Sequence, residues 1–455
     1  MKEVERIKTT IKKALPRFLL NFLRDVKHWE DIRYGSFISG LLEKQDAMEE
    51  GEIAEYQKRF LKEIIGYAKT HTKYYGKVLT NINLDNFSST PFLTKEIIRR
   101  NLNDMVSDEA HKLEVNSYNT GGSTGEPLEF YRSYLSGVVD TAHQKFQLKM
   151  MGYSRGENIF GVGGATILER LVKINKFWQE IDYGTGYHYH NASALYLNSG
   201  TVKYYVDFLN NLKPSIIRGY PSAVHEIARF INDGGISLTF QAKGIQLTSE
   251  KVHQHQVESI RKAFASDVYL QYGLTEVCVF AFSKPNVSSY LCSPFYGYVE
   301  VVDQNGNHVK EGEQGEIIAT GFHNKAMPFI RYRTGDLAVY GGKRKGATIL
   351  KSFEGREQDI IFTKDKERVL LTAAIFGQHF HSFKHIIKWQ ISQSEFGKIS
   401  FSIIPSGEFS KGDEDEIRSK FKIFNIEVEI RIVEELEKTR LGKVKFLVQN
   451  IKSML

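Results

Sequence analysis

The chain has 455 residues, which is too long for one ordinary domain and suits a large domain with a smaller one. Hydrophobic residues make up 41% and charged residues 25%, so the composition is that of a soluble globular protein and excludes disordered and collagen-like classes. The formal net charge of +7 comes without a dense basic run, which argues against nucleic acid as a partner.

Residues 1–115 are predicted to form a charged, largely helical region. Near its start, apolar side chains recur at helical spacing from Ile7 to Phe22, opposite several Lys and Arg side chains. This pattern fits either a helix packed on the body of the protein or a helix that lies on a membrane surface. Residues 46–74 alternate Glu or Lys with apolar residues, which predicts a further helix.

Residues 115–350 change to short apolar runs with glycine clusters, interleaved with helical patterns at 201–212 and 222–232. This alternation predicts an α/β domain with several sheets. The basic turn at 341–346 is expected to be a hairpin tip.

The sequence pattern changes again after Gly355, where it predicts short strands that alternate with helices. The expected strands are 359–363, 399–404 and 427–433, and the expected helices are 379–387 and 414–424. We therefore divide the chain into a large domain, 1–354, and a small α+β domain, 355–455.

Cys278 and Cys292 are the two cysteines of the chain. They cannot form a disulfide framework and stand in no CxxC pair, so we expect packed thiols in a reducing cytoplasm. No stretch approaches the roughly 18 apolar residues of a membrane span, and no signal-peptide core is evident.

The segment 119–127, with the sequence NTGGSTGEP, precedes a predicted strand at 128–131. Its glycines permit close backbone approach, and its hydroxyl groups add donors, so it could wrap a phosphate. It lacks the Gly-Lys-Ser/Thr ending of a Walker loop. A polar glycine-rich turn is the alternative.

Two further motifs place acidic side chains after a strand or a turn. In 271–276 (QYGLTE), a hydroxyl and a carboxylate could hold a phosphate and a magnesium ion, because magnesium prefers one or two carboxylates plus phosphates. In 327–337 (MPFIRYRTGDL), Asp336 could accept both hydroxyls of a ribose. A satisfied buried Glu276 and a turn-capping Asp336 are the alternatives.

These motifs occur in one order, followed by 355–359 (GREQD) and 438–443 (KTRLGK). The succession resembles the adenylate-forming superfamily. The segments 248–250 (TSE) and 219–222 (GYPS), with the run from Met327, narrow the resemblance to the phenylacetate-coenzyme A ligase-like family. Within it, the chain looks most like the capsular-polysaccharide-biosynthesis branch. The resemblance covers residues 115–445.

The resemblance implies an enzyme that joins a carboxylate to ATP, releases pyrophosphate and passes the acyl group to a second nucleophile. It assigns each matched residue a role. The β- and γ-phosphates of the nucleotide would be held by Thr120, Gly121, Gly122, Ser123, Thr124 and Gly125, and the α-phosphate by Thr275. Ser249 and Glu250 would lie at adenine, and Asp336 would bind the ribose. Further nucleotide-binding residues would be Tyr272, Gly273 and Arg356. Glu276 would bind magnesium, and Lys443, on a mobile small domain, would reach the reacting carboxylate. Thr275, Glu276 and Lys443 would be the catalytic residues.

The acyl group is expected to bind between the glycine-rich loop and Glu276. The candidate pocket residues are Phe160, Gly161, Gly163, Tyr187, His190 and Tyr220. The tyrosines and histidines at 183–190 suit a polar or ring-bearing acid, and a tyrosine-rich surface loop is the alternative.

Two departures concern the second half-reaction. Gln358 stands at the hinge position where the family usually has Asp, and residues 363–367 lack the glycine that commonly approaches coenzyme A. We therefore predict that an amino acid or small acyl group passes to a sugar amine or carrier in surface polysaccharide synthesis. An aryl- or acyl-coenzyme A ligase is the alternative, and a non-catalytic nucleotide-binding scaffold is the alternative of another class.

Overall fold

The computed structural model describes residues 27–119, 128–182, 187–197, 200–250, 252, 254–353, 360–376, 380–405, 407–437 and 447–451. The predicted helix around Ile7 to Phe22 therefore lies outside the described residues. No helix within them has both the length and the apolar character needed to cross a lipid bilayer.

The N-terminal region is helical, as its sequence pattern predicts. Its helices are α1 (Trp29–Lys44), α2 (Glu50–His71), α3 (Lys73–Val78) and α4 (Lys95–Met105). Helix α2 begins at a capping box, in which the side chains of Glu49 and Glu52 each accept a hydrogen bond from the other's backbone N–H. Phe60, Ile64 and Ala68 recur at a spacing of four residues on its buried face.

Strands and helices alternate through the next part of the chain. In chain order they are β1 (Val115–Asn119), β2 (Glu129–Ser133), α5 (Tyr134–Met150), β3 (Asn158–Gly163), α6 (Glu169–Val172), β4 (Trp178–Asp182), β5 (His188–Ser193), α7 (Val202–Leu212), β6 (Ile216–Gly219), α8 (Pro221–Asp233), β7 (Gly244–Thr248), α9 (Gln254–Phe264) and β8 (Val268–Gly273). Helices α7 and α8 confirm the two helical patterns predicted from sequence.

A series of antiparallel strands follows. These are β9 (Phe280–Phe282), β10 (Tyr290–Cys292), β11 (Gly297–Val302), β12 (Gln314–Gly321), β13 (Tyr332–Arg344) and β14 (Ala347–Phe353). Strands β13 and β14 meet at a turn in which Lys345 and Gly346 have positive φ, which confirms the predicted hairpin tip.

Most of these strands share one large sheet. Within the described residues, twelve strands follow the order β11-β12-β13-β14-β10-β9-β8-β7-β6-β3-β5-β4, and β1 and β2 form a separate hairpin. The neighbouring pairs among β5, β3, β6, β7 and β8 are parallel. Residues 268–272 of β8, which pairs in parallel with β7 and antiparallel with β9, are all buried, as expected for a central strand covered on both faces. The predicted α/β class is confirmed.

The C-terminal part has its own sheet. Its elements are β15 (Ile360–Phe362), β16 (Arg368–Leu370), α10 (Leu371–Phe376), β17 (Ile386–Glu395), β18 (Lys398–Pro405), α11 (Lys411–Lys422), β19 (Glu427–Ile432) and β20 (Leu447–Gln449). The order is β19-β18-β17-β20, with β15 and β16 as a separate pair. A buried cluster that includes Trp389, Phe401 and Phe421 draws its members from residues 361–447. The boundary at 354/355 stays a prediction.

The helix predicted at 379–387 is wrong. The structure has a short 3-10 turn, Ser382–His385, and then strand β17. Phe380 and Phe383 are three residues apart and stack on each other at 4.9 Å, which one tight turn satisfies. In strand β17 the apolar side chains of Trp389 and Ile391 are both buried two residues apart, a spacing that belongs to one face of a strand.

A buried ion pair joins the N-terminal region to the large sheet. Arg331 lies just before β13 with φ of +47° and is 4% exposed. Its Nε and Nη2 donate to the two carboxylate oxygens of Glu300, each at 3.0 Å. Its Nη1 donates to the backbone carbonyls of Ser88 and Thr90. Charge-assisted bonds therefore satisfy a desolvated guanidinium on three sides.

We expect Arg331→Met to destabilise the protein by about 3–5 kcal/mol, because it leaves Glu300 buried without its cation. Urea unfolding of the purified chain measures the change. Arg331→Met with Glu300→Leu should recover part of the loss. The control is Arg229→Met, which breaks an exposed pair with Glu226 and should cost less than about 1 kcal/mol. A loss at Arg331 no larger than the control would contradict the assignment.

Candidate functional site

A cavity of about 760 Å³ lies between helix α5 and strands β3, β5 and β6. Its walls come from the carboxyl-terminal halves of parallel strands, where α/β proteins commonly bind ligands. The lining residues are Thr141, Gln144, Lys145, Leu148, Gly161, Val162, Gly163, Gly164, Ala165, Tyr187, Tyr189, Asn191, Ala192, Arg218, Gly219, Tyr220, Thr248 and Ser249. Four of the predicted pocket residues, namely Gly161, Gly163, Tyr187 and Tyr220, are among them.

Glycines on β3 make room for polar neighbours in this cavity. A Cβ at Gly161 would lie 2.6 Å from Oδ1 of Asn191, so glycine is needed for the amide to stand there. A Cβ at Gly163 would lie 3.5 Å from the ring of Tyr220, and one at Gly164 would lie 3.0 Å from its hydroxyl. The glycines therefore position an amide and a phenol in the wall.

Phe160 and His190 lie on the other face of the sheet. They pair across β3 and β5, and both rings contact Phe208 of α7, with centroids 6.1 and 5.8 Å away. Successive side chains of a strand point to opposite faces of the sheet. Because Gly161 and Asn191 face the cavity, the residues just before them, Phe160 and His190, face away from it. The structure thus does not bring Phe160 and His190 to the cavity wall.

The cavity also contains two cationic side chains that belong to none of the sequence motifs. Arg218 is half-buried on β6, and Lys145 stands at the rim on α5 with its Nζ 5.7 Å from the ring centre of Tyr187. Tyr187 in turn stacks on Tyr153 at 5.4 Å. Partial desolvation lowers the pKa of Lys145, and the charge of Arg155 acts in the same direction.

Two buried carboxylates, Glu276 and Asp336, each accept a hydrogen bond from a buried tyrosine. The hydroxyl of Tyr332 donates to Glu276 at 2.9 Å, and the hydroxyl of Tyr272 donates to Asp336 at 3.0 Å. Tyr332, Thr334 and Asp336 alternate inward along β13. The motif after β8 and the motif on β13 are therefore brought together by the sheet, as their sequence spacing could not show.

Burial raises the pKa of Glu276. The hydrogen bond from Tyr332 and the positive charge of Lys95 oppose this effect, whereas the charge of Asp336 adds to it. Lys95, at the start of α4, is a contributor from the N-terminal region that sequence reasoning missed. Gly273 and Thr275 are exposed beside these buried groups.

Ser249 and Glu250 follow β7 at the edge of the cavity. Ser249 has φ of +71°, and Glu250 is 8% exposed. One carboxylate oxygen of Glu250 accepts the backbone N–H of Ser222 in the first turn of α8, at 3.0 Å. Its other oxygen is buried without a hydrogen-bond partner among the described residues. This orphaned acceptor lies beside residues that the resemblance assigns to adenine.

Several predicted site residues lie outside the described part of the chain. They are Thr120, Gly121, Gly122, Ser123, Thr124, Gly125, Arg356 and Lys443, together with the hinge residue Gln358. Cys278 and Cys292 are described, and both are buried free thiols. Among the described residues, no group of three or more His, Cys, Asp or Glu side chains could hold a metal ion.

The segment 363–367, where we looked for a glycine that approaches coenzyme A, forms the tight turn between β15 and β16. The N–H of Thr363 donates to the carbonyl of Glu367, and the hydroxyl of Thr363 accepts the N–H of Glu367. The backbone of Lys364 packs against Gly397, where a Cβ would come within 2.7 Å. This turn is therefore occupied by contacts within the C-terminal part of the chain.

No family model matches the chain. Its sequence is similar to that of Protein CapK of Staphylococcus aureus, with 25% identity over 422 residues that cover 88% of this chain and 90% of the relative. It is also similar to phenylacetate-coenzyme A ligase of Pseudomonas putida, with 22% identity over 200 residues, or 40% of this chain and 44% of that protein.

Solved structures of 2-hydroxyisobutyryl-CoA ligase share the fold. A complex with 2-HIB-AMP and CoA in the thioesterification state has a TM-score of 0.58 at 17% identity and covers 88% of this chain and 90% of its own. A postadenylation complex has a TM-score of 0.53 at 16% identity, with 87% and 89% covered. These likenesses confirm the predicted resemblance to adenylate-forming ligases and the predicted fold class.

We expect the stability of the protein to depend on pH through Glu250. Burial raises its pKa to about 7, from an ordinary value of 4.5, against the opposing effect of the Ser222 N–H. Between those values the unfolded chain loses the proton first, so the folded state loses stability as pH rises. The Glu250→Gln variant cannot ionise at this position. Its free energy of unfolding should therefore rise relative to that of the wild type by about 1.4 kcal/mol for each pH unit in this window.

Urea unfolding between pH 4.5 and 8 measures the difference, which should become constant above about pH 7. Glu169→Gln is the matched control, since its carboxylate is 83% exposed, and its curve should run parallel to that of the wild type. Parallel curves for Glu250→Gln would contradict the expected effect of burial.

Proposed function

We propose that the chain is an ATP-dependent, AMP-forming ligase that activates a carboxylic acid as an acyl-adenylate and transfers the acyl group to a second nucleophile. The observation that carries the proposal is the pair of buried carboxylates, Glu276 and Asp336, each held by a tyrosine, beside the same large sheet whose strand ends form the cavity. Named relatives in sequence and fold are ligases of this kind.

Asp336 is suited to grip the hydroxyls of a ribose. Tyr272 occupies one of its oxygens, and the N–H of Asp336 donates to the hydroxyl of Thr334 at 3.1 Å. A carboxylate offers about four lone-pair sites, so it can still accept hydrogen bonds from a ligand. The phenol orients the carboxylate before the nucleotide arrives, which reduces the entropy lost on binding.

Glu276 is the described residue best suited to bind magnesium with ATP. A single carboxylate fits this role, because magnesium takes its remaining ligands from phosphate oxygens and water. When bound, the ion would neutralise charge on the phosphates. Tyr332 orients Glu276 from the protein side, and the nearby charge of Lys95 favours the ionised carboxylate.

The remaining roles rest on the resemblance. We assign residues 120–125 to the β- and γ-phosphates, Thr275 to the α-phosphate, Ser249 and Glu250 to adenine, and Arg356 to the nucleotide. Lys443 would place a compact positive charge between the carboxylate and the α-phosphate as like charges approach. The cavity below these residues would hold the acyl group. We place the reaction in the cytoplasm, where ATP is available as its substrate.

For the acceptor, we propose a sugar amine or carrier in surface polysaccharide synthesis. The similarity to Protein CapK over most of both chains supports this choice. An aryl- or acyl-coenzyme A ligase is the second candidate, which the coenzyme A complexes of the structural neighbour favour. The closed turn at 363–367 favours the first candidate. A non-catalytic scaffold would not need the oriented pair of carboxylates.

We expect Asp336→Asn to raise the KM for ATP, because one charged acceptor is lost, at a cost of roughly 1.5–3 kcal/mol. The wild type should discriminate against dATP, and the variant should discriminate less. Pyrophosphate release at varied ATP and dATP measures both. Asp303→Asn, in an exposed turn of the same domain, is the control and should leave both values unchanged. Equal use of ATP and dATP by the wild type would refute the ribose role.

A screen for pyrophosphate release tests the ligase itself. Amino acids, hydroxy acids and aryl acids are supplied with ATP, with and without coenzyme A. One or more of these acids should support release in the wild type, and dependence on coenzyme A would favour the second candidate acceptor. Lys443→Ala should slow adenylate formation strongly while ATP affinity, measured by calorimetry, barely changes, the pattern of an interaction made in the transition state.

The same variant should still transfer the acyl group from a pre-formed adenylate, because Lys443 is needed only in the first half-reaction. Lys420→Ala, on helix α11 of the small domain, is a charge-matched control for both steps. Full adenylation by Lys443→Ala would remove this lysine from the mechanism. ATP binding without pyrophosphate release from any acid would favour the scaffold.

A further inference from the structure

The cavity that we assign to the acyl group has an unbalanced charge. Arg218 stands in its wall and Lys145 at its rim. Among the described residues that line it, none is Asp or Glu. Neither cation forms an ion pair within the described part of the chain, in contrast to Lys149, one turn farther along α5, which pairs with Glu43 at 2.6 Å.

The sheet gives Arg218 no counter-charge. Its register partners are Gly161 on β3 and Gln246 on β7, and both are neutral. Gln246 is buried and already donates its amide to Gln147 at 2.6 Å. A half-buried guanidinium is costly without a partner, since its desolvation is not offset by an anion.

The remaining walls add polar and aromatic surface but no negative charge. Asn191 stands over Gly161, and Tyr187 and Tyr220 present their rings. At the rim, Arg155 is close enough to Lys145 for its charge to lower the lysine pKa, and no carboxylate is among the causes of that shift. The described side chains that line the cavity therefore carry a net positive charge. The carboxylate of Glu250 lies at the cavity edge, where burial raises its pKa to about 7 and so disfavours its charged form.

We infer that the acid bound in this cavity carries a second anionic group, remote from the carboxylate that reacts, and that Arg218 and Lys145 are specificity-determining residues that recognise it. This inference rests on the proposed ligase activity. During adenylation the reacting carboxylate becomes a neutral acyl group, whereas the second anion keeps its charge. Its contacts therefore hold the acyl group through both half-reactions.

The test compares each diacid with its monoamide, which has the same shape but lacks the second charge. The probes are glutarate and glutaramate, succinate and succinamate, glutamate and glutamine, and aspartate and asparagine. In pyrophosphate release, at least one diacid should exceed its monoamide by roughly tenfold or more in kcat/KM, as expected for a charge-assisted contact. Arg218→Gln and Lys145→Met should each reduce this preference, chiefly by raising the KM for the diacid.

Lys149→Met removes one positive charge from the exposed side of the same helix and is the control, which should keep the full preference. Equal use of every diacid and its monoamide by the wild type would overturn the inference. Equal losses on both members of a pair in the Arg218 and Lys145 variants would also overturn it, because the cations would then contact the reacting carboxylate or ATP.

Calorimetric titration of each probe, without turnover, separates this inference from the proposed activity. Tighter binding of a diacid than of its monoamide, lost in Arg218→Gln, would support the cavity assignment even if no acid released pyrophosphate. That result would refute the proposed ligase activity, but it would still support an anion-binding site at Arg218. Equal or absent binding of all diacids would overturn the inference while a ligase active on monocarboxylates stood.

Discussion

The geometry of the candidate site depends on the buried ion pair between Arg331 and Glu300. The guanidinium binds both oxygens of Glu300 and two carbonyl groups of the N-terminal region, so it ties that region to the sheet. Tyr332 is the next residue and holds Glu276. Asp336 follows four residues later on the same inward face of β13. One desolvated cation thus anchors the start of β13, the strand that carries Asp336 and the tyrosine bonded to Glu276.

The site divides by charge into two parts. Near β8 and on β13, Glu276 and Asp336 are buried, and each accepts a hydrogen bond from a tyrosine hydroxyl. In the cavity between α5, β3 and β6, Arg218 and Lys145 are present, and none of the described lining residues is Asp or Glu. A polyanionic nucleotide with its metal ion suits the first part, and an anionic acyl group suits the second. Such segregation orients a substrate whose two ends differ in charge.

Local patterns in the sequence predict much of the fold. Helices α7 and α8, the hairpin tip at Gly346 and the α/β class follow from periodicity and turn residues, which act over a few neighbours. The helix expected at 379–387 is wrong, because the Phe380–Phe383 contact is met by a single 3-10 turn and the strand pairing that begins at Ile386 joins distant segments.

The site is harder to predict, since it depends on contacts between distant segments. The order of motifs identifies Glu276 and Asp336, but each is held by a tyrosine from the other motif. Tyr332 is 56 residues from Glu276 in the chain, and Tyr272 is 64 residues from Asp336. The prediction of Phe160 and His190 rests on their place in the chain between the glycine-rich loop and Glu276, whereas the face that they occupy depends on the phase of β3 and β5. Arg218 carries no motif, so its role could not be read before the sheet was assembled.

The glycines of β3 have a further consequence for how this protein could diverge. Gly161 and Gly163 shape one wall of the cavity, whereas Glu276 and Asp336 belong to the turn after β8 and to β13, several strands away in the sheet order. A substitution that reshapes the cavity therefore need not disturb the two carboxylates that we propose for the nucleotide. Descendants of one ancestral catalyst could exchange acids in small steps while their phosphate chemistry is inherited unchanged.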